Sequence, residues 1–219
     1  MPSDDLLGSG RNADVYALDE GWVLRRYRDG MDATAEASVM PYLREHGYPV
    51  PAVRSADGPE LVMQRLYGPT MLTALLEGSL TADEGAAMLG GLLEQLHAVP
   101  ARLSDDPAVR ILHLDLHPDN VMLTPEGPVV IDWSNTAEGS PELDWAISAL
   151  ILAQVAVGDH PPELAEGARA GLAALLKGRE GPGDLAGARA MRAANPTMTA
   201  RELEQLDEAV ELVLSAVRD

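Results

Sequence analysis

The chain has 219 residues, 35 acidic against 16 basic, for a net charge of −19, and no cysteine. The lack of cysteine excludes disulfides, thiolate catalysis and cysteine zinc sites and fits a cytoplasmic protein, while the negative field disfavours nucleic acid and anionic membrane surfaces as partners. The start, MPSDDLLGSG, has no apolar signal core, and the longest apolar run, 146–158, is too short to span a bilayer.

In chain order, the first feature is LLGSGRNADVY, residues 6–16. Gly8, Ser9, Gly10, Asn12 and Val15 fit a glycine-rich phosphate loop of the form G-x-G-x-x-G-x-V, with Ala13 in place of the third glycine. Glycine lets the backbone approach phosphates and adopt positive φ, and Asn12 tolerates such angles too. A plain β-turn is the competing reading. The strand WVLRRY, 22–27, follows. Alternation puts Val23 and Arg25 on one face and Leu24 and Arg26 on the other. Arg25 stands where a kinase strand carries its phosphate-pairing lysine, and the sole lysine of the chain is the distant Lys177; an arginine keeps the charge and can grip phosphate with two N–H groups.

Residues 32–46 read as a helix on which Glu36 is placed to pair with Arg25, a solvated helix charge being the competing reading. A Gly-Tyr-Pro-Val-Pro breaker, 47–51, ends it, and 61–63 is a buried strand running into a hinge at Gln64-Arg65-Leu66. There the backbone of Gln64 and Leu66 would meet the purine, with Met63 behind it or simply in the core. A helix over 81–99 carries Thr81 as its cap and Met88, Leu92, Leu93 and Leu96 on one face.

The stretch HLDLHPDN, 113–120, matches the protein-kinase catalytic loop H-R-D-L-x-x-x-N at His113, Asp115, Leu116 and Asn120, with Leu114 in place of arginine. Short strands flanking a turn at 124–127 lead to Asp132 of VVIDW. Phosphoryl transfer needs little beyond positioning and charge neutralisation, so Asp115 is read as the base that takes the acceptor proton, and Asn120 and Asp132 as hard oxygen ligands for Mg2+. A rival reading takes His113, Asp115 and His117 as the metal cluster of a hydrolase, with His46, His97 and His160 in unremarkable contexts. Beyond these, 146–158 reads as a core helix, 161–176 and 199–217 as amphipathic helices, the last with a Thr199–Glu202 capping box, and 178–187 as a flexible connector.

HLDLHPDNVML, VVIDW and GSPELDWA, supported by VLRR, GYPVPAV, LVMQRLYGPTM and LEQLHAVP in the same order, resemble the aminoglycoside phosphotransferase and choline kinase-like group of small-molecule kinases. The resemblance implies an α+β, protein-kinase-like bilobal fold. Its small N-terminal lobe, 1–66, would be an antiparallel sheet with one helix, and its larger lobe, 67–219, mainly helical. It also implies ATP, or GTP, as donor, Asp144 and His113 as braces of the catalytic loop, and acceptor contacts from C-terminal helices, for which His117, Asp159, Glu163 and Glu166 are candidates. Only nine residues separate Asp132 from Glu142, too few for the activation loop that docks peptides, so the acceptor is expected to be a small molecule. The first 66 residues carry a net charge of −4 and the rest −15, which favours a cationic acceptor such as an aminoglycoside-like antibiotic or an amino-alcohol, solvated helix faces being the competing reading of the same acids. From Ala13, Arg25 and a short first strand comes the competing reading of a nucleotide-binding module without catalysis.

Overall fold

The computed structural model describes residues 5–10, 12–28, 30–196 and 198–218. The opening four residues, read above as part of a start without a signal core, and Arg11 of the glycine-rich turn lie outside the described residues. Two compact units form, one of Met1–Pro69 with Met122–Thr136 and the other of Thr70–Val121 with Ala137–Asp219. The sequence reading places one boundary after Leu66 and keeps 122–136 in the second part. That segment instead packs with the first, because Trp133 is fully buried, stands edge-on to Tyr48 at 5.6 Å and donates its backbone N–H to Glu36 at 3.0 Å.

In chain order, β1 (Leu6–Ser9), β2 (Ala13–Ala17), β3 (Trp22–Tyr27), α1 (Thr34–Glu45), β4 (Val53–Asp57) and β5 (Glu60–Gln64) come first. Next are α2 (Met71–Leu76), α3 (Ala82–Ala98), β6 (Arg110–Leu112) and the hairpin β7 (Val121–Thr124) and β8 (Gly127–Val130). The chain ends with β9 (Ala137–Gly139), α4 (Pro141–Val157), α5 (Pro162–Leu176), α6 (Leu185–Ala194), α7 (Ala200–Glu204) and α8 (Leu206–Ala216).

The first unit is an antiparallel sheet in the order β1-β2-β3-β5-β4. Val15, Arg25 and Leu61 lie opposite one another across three strands, and Gly8 lies opposite Val15. With Val23 and Met63 two residues along their strands, these six share one face. Helix α1 buries Glu36, Val39, Met40 and Leu43, a helical i, i+3, i+4, i+7 stripe in which the glutamate takes an apolar position. Asp32 accepts from the Thr34 N–H at 2.8 Å to start the helix, and Gly47, at φ 79, lets it stop.

In the second unit α4 is buried nearly all round and packs against α5, α6 and α8, while α5 packs on α3. Its helix begins at Pro141, before the expected 146, because Ser140 and a proline at the first helical position open it. Thr81 and Glu84 form the capping box of α3, whose buried face holds Leu89 where the sequence reading puts Met88, which is half-exposed. The connector expected over 178–187 ends early: Asp184 caps α6 by accepting the Gly187 N–H at 2.9 Å. The single helix expected over 199–217 is broken at Gln205 into α7 and α8, with the Thr199–Glu202 capping box in place.

Gly183 makes the approach to α6 possible. It sits at φ 76, and a Cβ there would collide with the Glu142 carbonyl, the group that accepts the Asp184 N–H at 2.9 Å. Gly183→Ala is therefore expected to destabilise the protein by roughly 1–3 kcal/mol. Gly91→Ala, on an exposed helix face where a Cβ meets nothing, should add about 0.5–1 kcal/mol; urea denaturation of the two variants reads both signs.

Candidate active site

Strand β6, paired with β9, delivers the chain to a buried His113. The fully buried Asp144, in the first turn of α4, meets it there. One of its oxygens accepts the His113 N–H at 2.9 Å and His97 Nε2 at 3.0 Å, and the other accepts the Leu114 N–H at 2.7 Å. Leu114 has φ 62, a left-handed conformation costly for a leucine. Hydrogen bonds to a desolvated carboxylate are strong enough to hold it there. Asp115 follows that turn directly and donates its N–H to His113 Nδ1 at 3.2 Å. Asn120 donates from Nδ2 to the Asp115 carbonyl at 2.9 Å, so its carboxamide is oriented by nitrogen, and its Oδ1 has no partner among the described residues.

His117 caps the turn Pro118–Asn120 by accepting the Asp119 N–H on Nδ1 at 3.3 Å. Both loop histidines thus spend Nδ1 on backbone. Among the described residues no three His, Cys, Asp or Glu side chains are grouped to hold a metal, so the geometry does not favour the hydrolase reading of His113, Asp115 and His117. His97, unremarkable in sequence, proves to be a brace of Asp144.

The first unit holds a second buried carboxylate. Arg25 bridges Glu36 from Nη1 at 2.9 Å and Asp132 from Nη2 at 2.6 Å. Glu36 also accepts the Tyr27 hydroxyl at 2.5 Å and the Trp133 N–H at 3.0 Å. Burial alone would weaken the guanidinium's hold on its proton, but the Glu36 and Asp132 carboxylates outweigh it and push Arg25 above its already high value. Burial, then Glu36, pushes the Tyr27 hydroxyl up as well, so it stays a donor. Asp132 has φ 63, just ahead of the pinned Trp133 N–H, and its Oδ1 also accepts the Ser134 hydroxyl at 2.7 Å.

Gly8, Val15, Val23, Arg25 and Met63 share the sheet face described above, whereas Ser9 and Gln64 point to the other. Neither Gly8 nor Gly10 uses the positive φ open to a glycine. Gly10 donates to the Ala13 carbonyl at 2.9 Å, which makes Ala13 a strand residue with no need to be glycine. Arg28 fastens the turn, donating to the Gly10 carbonyl at 2.9 Å, to the Ser9 hydroxyl and to Asp14 at 2.6 Å, which pulls the Asp14 carboxyl down to about 2. At the hinge the Gln64 side chain, not its carbonyl, takes the Ala52 N–H at 3.1 Å, while the Gln64 N–H goes to the Ala52 carbonyl at 2.8 Å. A strand residue's N–H and C=O point the same way, so this substitution spares the Gln64 carbonyl. Leu66 lies beyond the strand. Asp159 is paired with Arg201 at 3.1 Å, Glu163 and Glu166 are exposed on α5, and no described contact joins these three to Asp115. No local pattern marks Arg192 of α6, whose Nη1 lies 3.7 Å from Asp115 Oδ1.

A profile of the phosphotransferase enzyme family matches residues 5–106 and 99–193. Among solved structures, the aminoglycoside phosphotransferase APH(2'')-Ib with ADP bound is 14% identical over 97% of this chain and 93% of that one, with a TM-score of 0.57. APH(2")-IIa in complex with gentamicin is 15% identical over 97% and 92%, with a TM-score of 0.57. A choline/ethanolamine kinase family protein from Mesorhizobium loti is 15% identical over 98% and 92%, with a TM-score of 0.58. At such identities these likenesses establish the α+β kinase-like fold. No curated protein matches the sequence closely enough to serve as a relative.

Glu36→Ala would leave Arg25 buried beside Asp132 alone and the Trp133 N–H without its acceptor. The expected loss is about 3–5 kcal/mol, the cost of removing one partner from a buried pair, measured by urea denaturation.

Proposed function

This chain belongs to the phosphotransferase enzyme family, and on that premise we propose that it transfers the γ-phosphoryl group of ATP, with Mg2+, to a hydroxyl of a small amine-bearing molecule. The observation that carries the reading is the backbone at Leu114: a strained residue, held by the buried Asp144, sets the Asp115 carboxylate at the end of a braced loop. Asp115 accepts the proton of the acceptor hydroxyl. The freed oxygen forms the bond to the γ-phosphorus as the bond from that phosphorus to the bridging oxygen breaks, and the electron pair leaves with ADP; the proton passes from Asp115 to solvent.

Asn120, its Oδ1 without a partner among the described residues, and Asp132 are the hard oxygen donors that suit Mg2+. When bound, the ion supplies neutralisation of the phosphate charge. The sheet face with Val15, Val23, Arg25 and Met63 holds the nucleotide, Arg25 aligned by Glu36, and the spared Gln64 carbonyl with the Leu66 backbone meets the base. GTP is the alternative donor, compared in the same assay. The amine on the acceptor is supported by the acidic excess beyond residue 66 and by neighbours named for gentamicin and for choline or ethanolamine. Among the described residues no helix is long and apolar enough to cross a membrane.

Release of ADP is followed with ATP, Mg2+ and a panel of aminoglycosides and amino-alcohols. Asp115→Asn is expected to lower kcat by roughly 10²–10⁴-fold, the usual worth of a positioned base, while ATP at about 100 times its Kd still stabilises the variant by about 2.7 kcal/mol. Unchanged turnover in the variant would overturn the role of Asp115. A wild-type chain stabilised by ATP but releasing no ADP would favour the non-catalytic nucleotide-binding module.

A further inference from the structure

A carboxylate that is to receive a divalent cation is placed by its backbone and turned by its own hydrogen bonds. The backbone at Asp132 is fixed by its neighbour. Asp132 stands at φ 63, and Trp133 after it is fully buried, donating its backbone N–H to Glu36 at 3.0 Å and Nε1 to the Val130 carbonyl at 3.1 Å. The rotation of the side chain is set separately. An aspartate ahead of a helical turn ordinarily accepts a backbone N–H of that turn, but among the described residues Asp132 makes no such cap to Trp133–Asn135. Its Oδ1 takes instead the Arg25 Nη2 at 2.6 Å and the Ser134 hydroxyl at 2.7 Å. Of the three charged groups in this network only Asp132 is open, its side chain 34% exposed against 2% for Glu36 and 8% for Arg25.

We propose that Ser134 is a positioning residue for the metal carboxylate: its hydroxyl fixes the rotation of Asp132, and the affinity for the divalent cation depends on it. The inference rests on the transfer reading above and deepens it at the metal site, where a carboxylate is the hard oxygen donor that Mg2+ requires. The two donors on Oδ1 differ in kind. Arg25 brings a permanent positive charge, which opposes a second cation at the same carboxylate, and in the transfer reading it also serves the phosphates. Ser134 is neutral, so it orients the carboxylate without cancelling its charge. It belongs to the same pinned turn as Asp132, so its hydroxyl keeps its place with or without a nucleotide. A side chain already turned has less rotational freedom to lose when the cation arrives.

The test counts Mn2+, in place of Mg2+, by electron paramagnetic resonance on the protein saturated with the non-hydrolysable ATP analogue AMP-PNP. Ser134→Ala should weaken Mn2+ binding roughly 10- to 100-fold, the usual worth of a hydrogen bond that orients a metal ligand. Ser134→Thr, which keeps the hydroxyl, should restore it, and Ser134→Cys, with a weaker donor of similar size, should fall between. Binding of AMP-PNP in EDTA should be the same in all four proteins, and coincident thermal melts exclude a general loss of fold. In the transfer assay the Mg2+ concentration for half-maximal rate should rise with Ser134→Ala in the same proportion, with the KM for the acceptor unchanged. Mn2+ affinity that is unaltered or higher in Ser134→Ala, or equally weakened in Ser134→Thr, overturns this inference while the transfer reading stands. A wild-type protein that binds AMP-PNP but no Mn2+ overturns the metal-dependent transfer reading and this inference together.

Discussion

A carboxylate taken out of water must be given hydrogen-bond donors, and the two buried carboxylates among the described residues both draw on backbone beside an aspartate. Asp144 takes the N–H of Leu114, one residue before Asp115. Glu36 takes the N–H of Trp133, one residue after Asp132. In each case the residue at positive φ, Leu114 or Asp132, lies at or next to the bonded amide. A non-glycine residue in that conformation costs about 1–3 kcal/mol and persists only where its surroundings over-determine it. Leaving a buried acceptor unsatisfied costs a comparable amount. Strain and satisfaction are thus coupled: relaxing the turn would strand the carboxylate. The same device, built twice from unrelated elements, fixes the two aspartates that carry the proposed chemistry.

The arginine at position 25 alters this arrangement in a way a lysine would not. Its rigid fork spans two carboxylates at once, one nitrogen on Glu36 and the other on Asp132. Asp132 Oδ1 therefore already serves Arg25 and Ser134. Any cation at Asp132 must share that oxygen, displace a donor or use the other oxygen, and a permanently charged guanidinium does not yield by losing a proton. Arg25 thereby ties Glu36 and Asp132 into one electrostatic unit.

What the sequence makes legible is chemistry written in contiguous residues or in a fixed period. HLDLHPDN shows its donors by spacing, β3 shows Arg25 by alternation, and α1 shows Glu36 by helical phase, its place on an apolar stripe being the feature that separates it from a solvated charge. Asp144 is legible only through resemblance. What stays hidden depends on packing between distant residues. His97 meets Asp144 across 47 positions and Arg192 meets Gln154 across 38, and no local pattern marks either. The α6 helix is missed because Gly178, Gly181 and Gly183 precede it and read as linker, whereas Gly183 is there to let the backbone pass close to Glu142. The grouping of 122–136 with the first unit is hidden for a similar reason, since a hairpin's sequence does not say which surface its last tryptophan will enter.

Net charge illustrates the limit of composition as a guide to a site. A sum of −19 describes the far field, which falls off within a Debye length of about 8 Å at physiological ionic strength. Inside that length the arrangement of single groups dominates, and at Asp115 the charge is compensated: one carboxylate faces one guanidinium, both mostly shielded from water. The far field can raise the local concentration of a cationic molecule, whereas direct contacts are decided by single groups within that length.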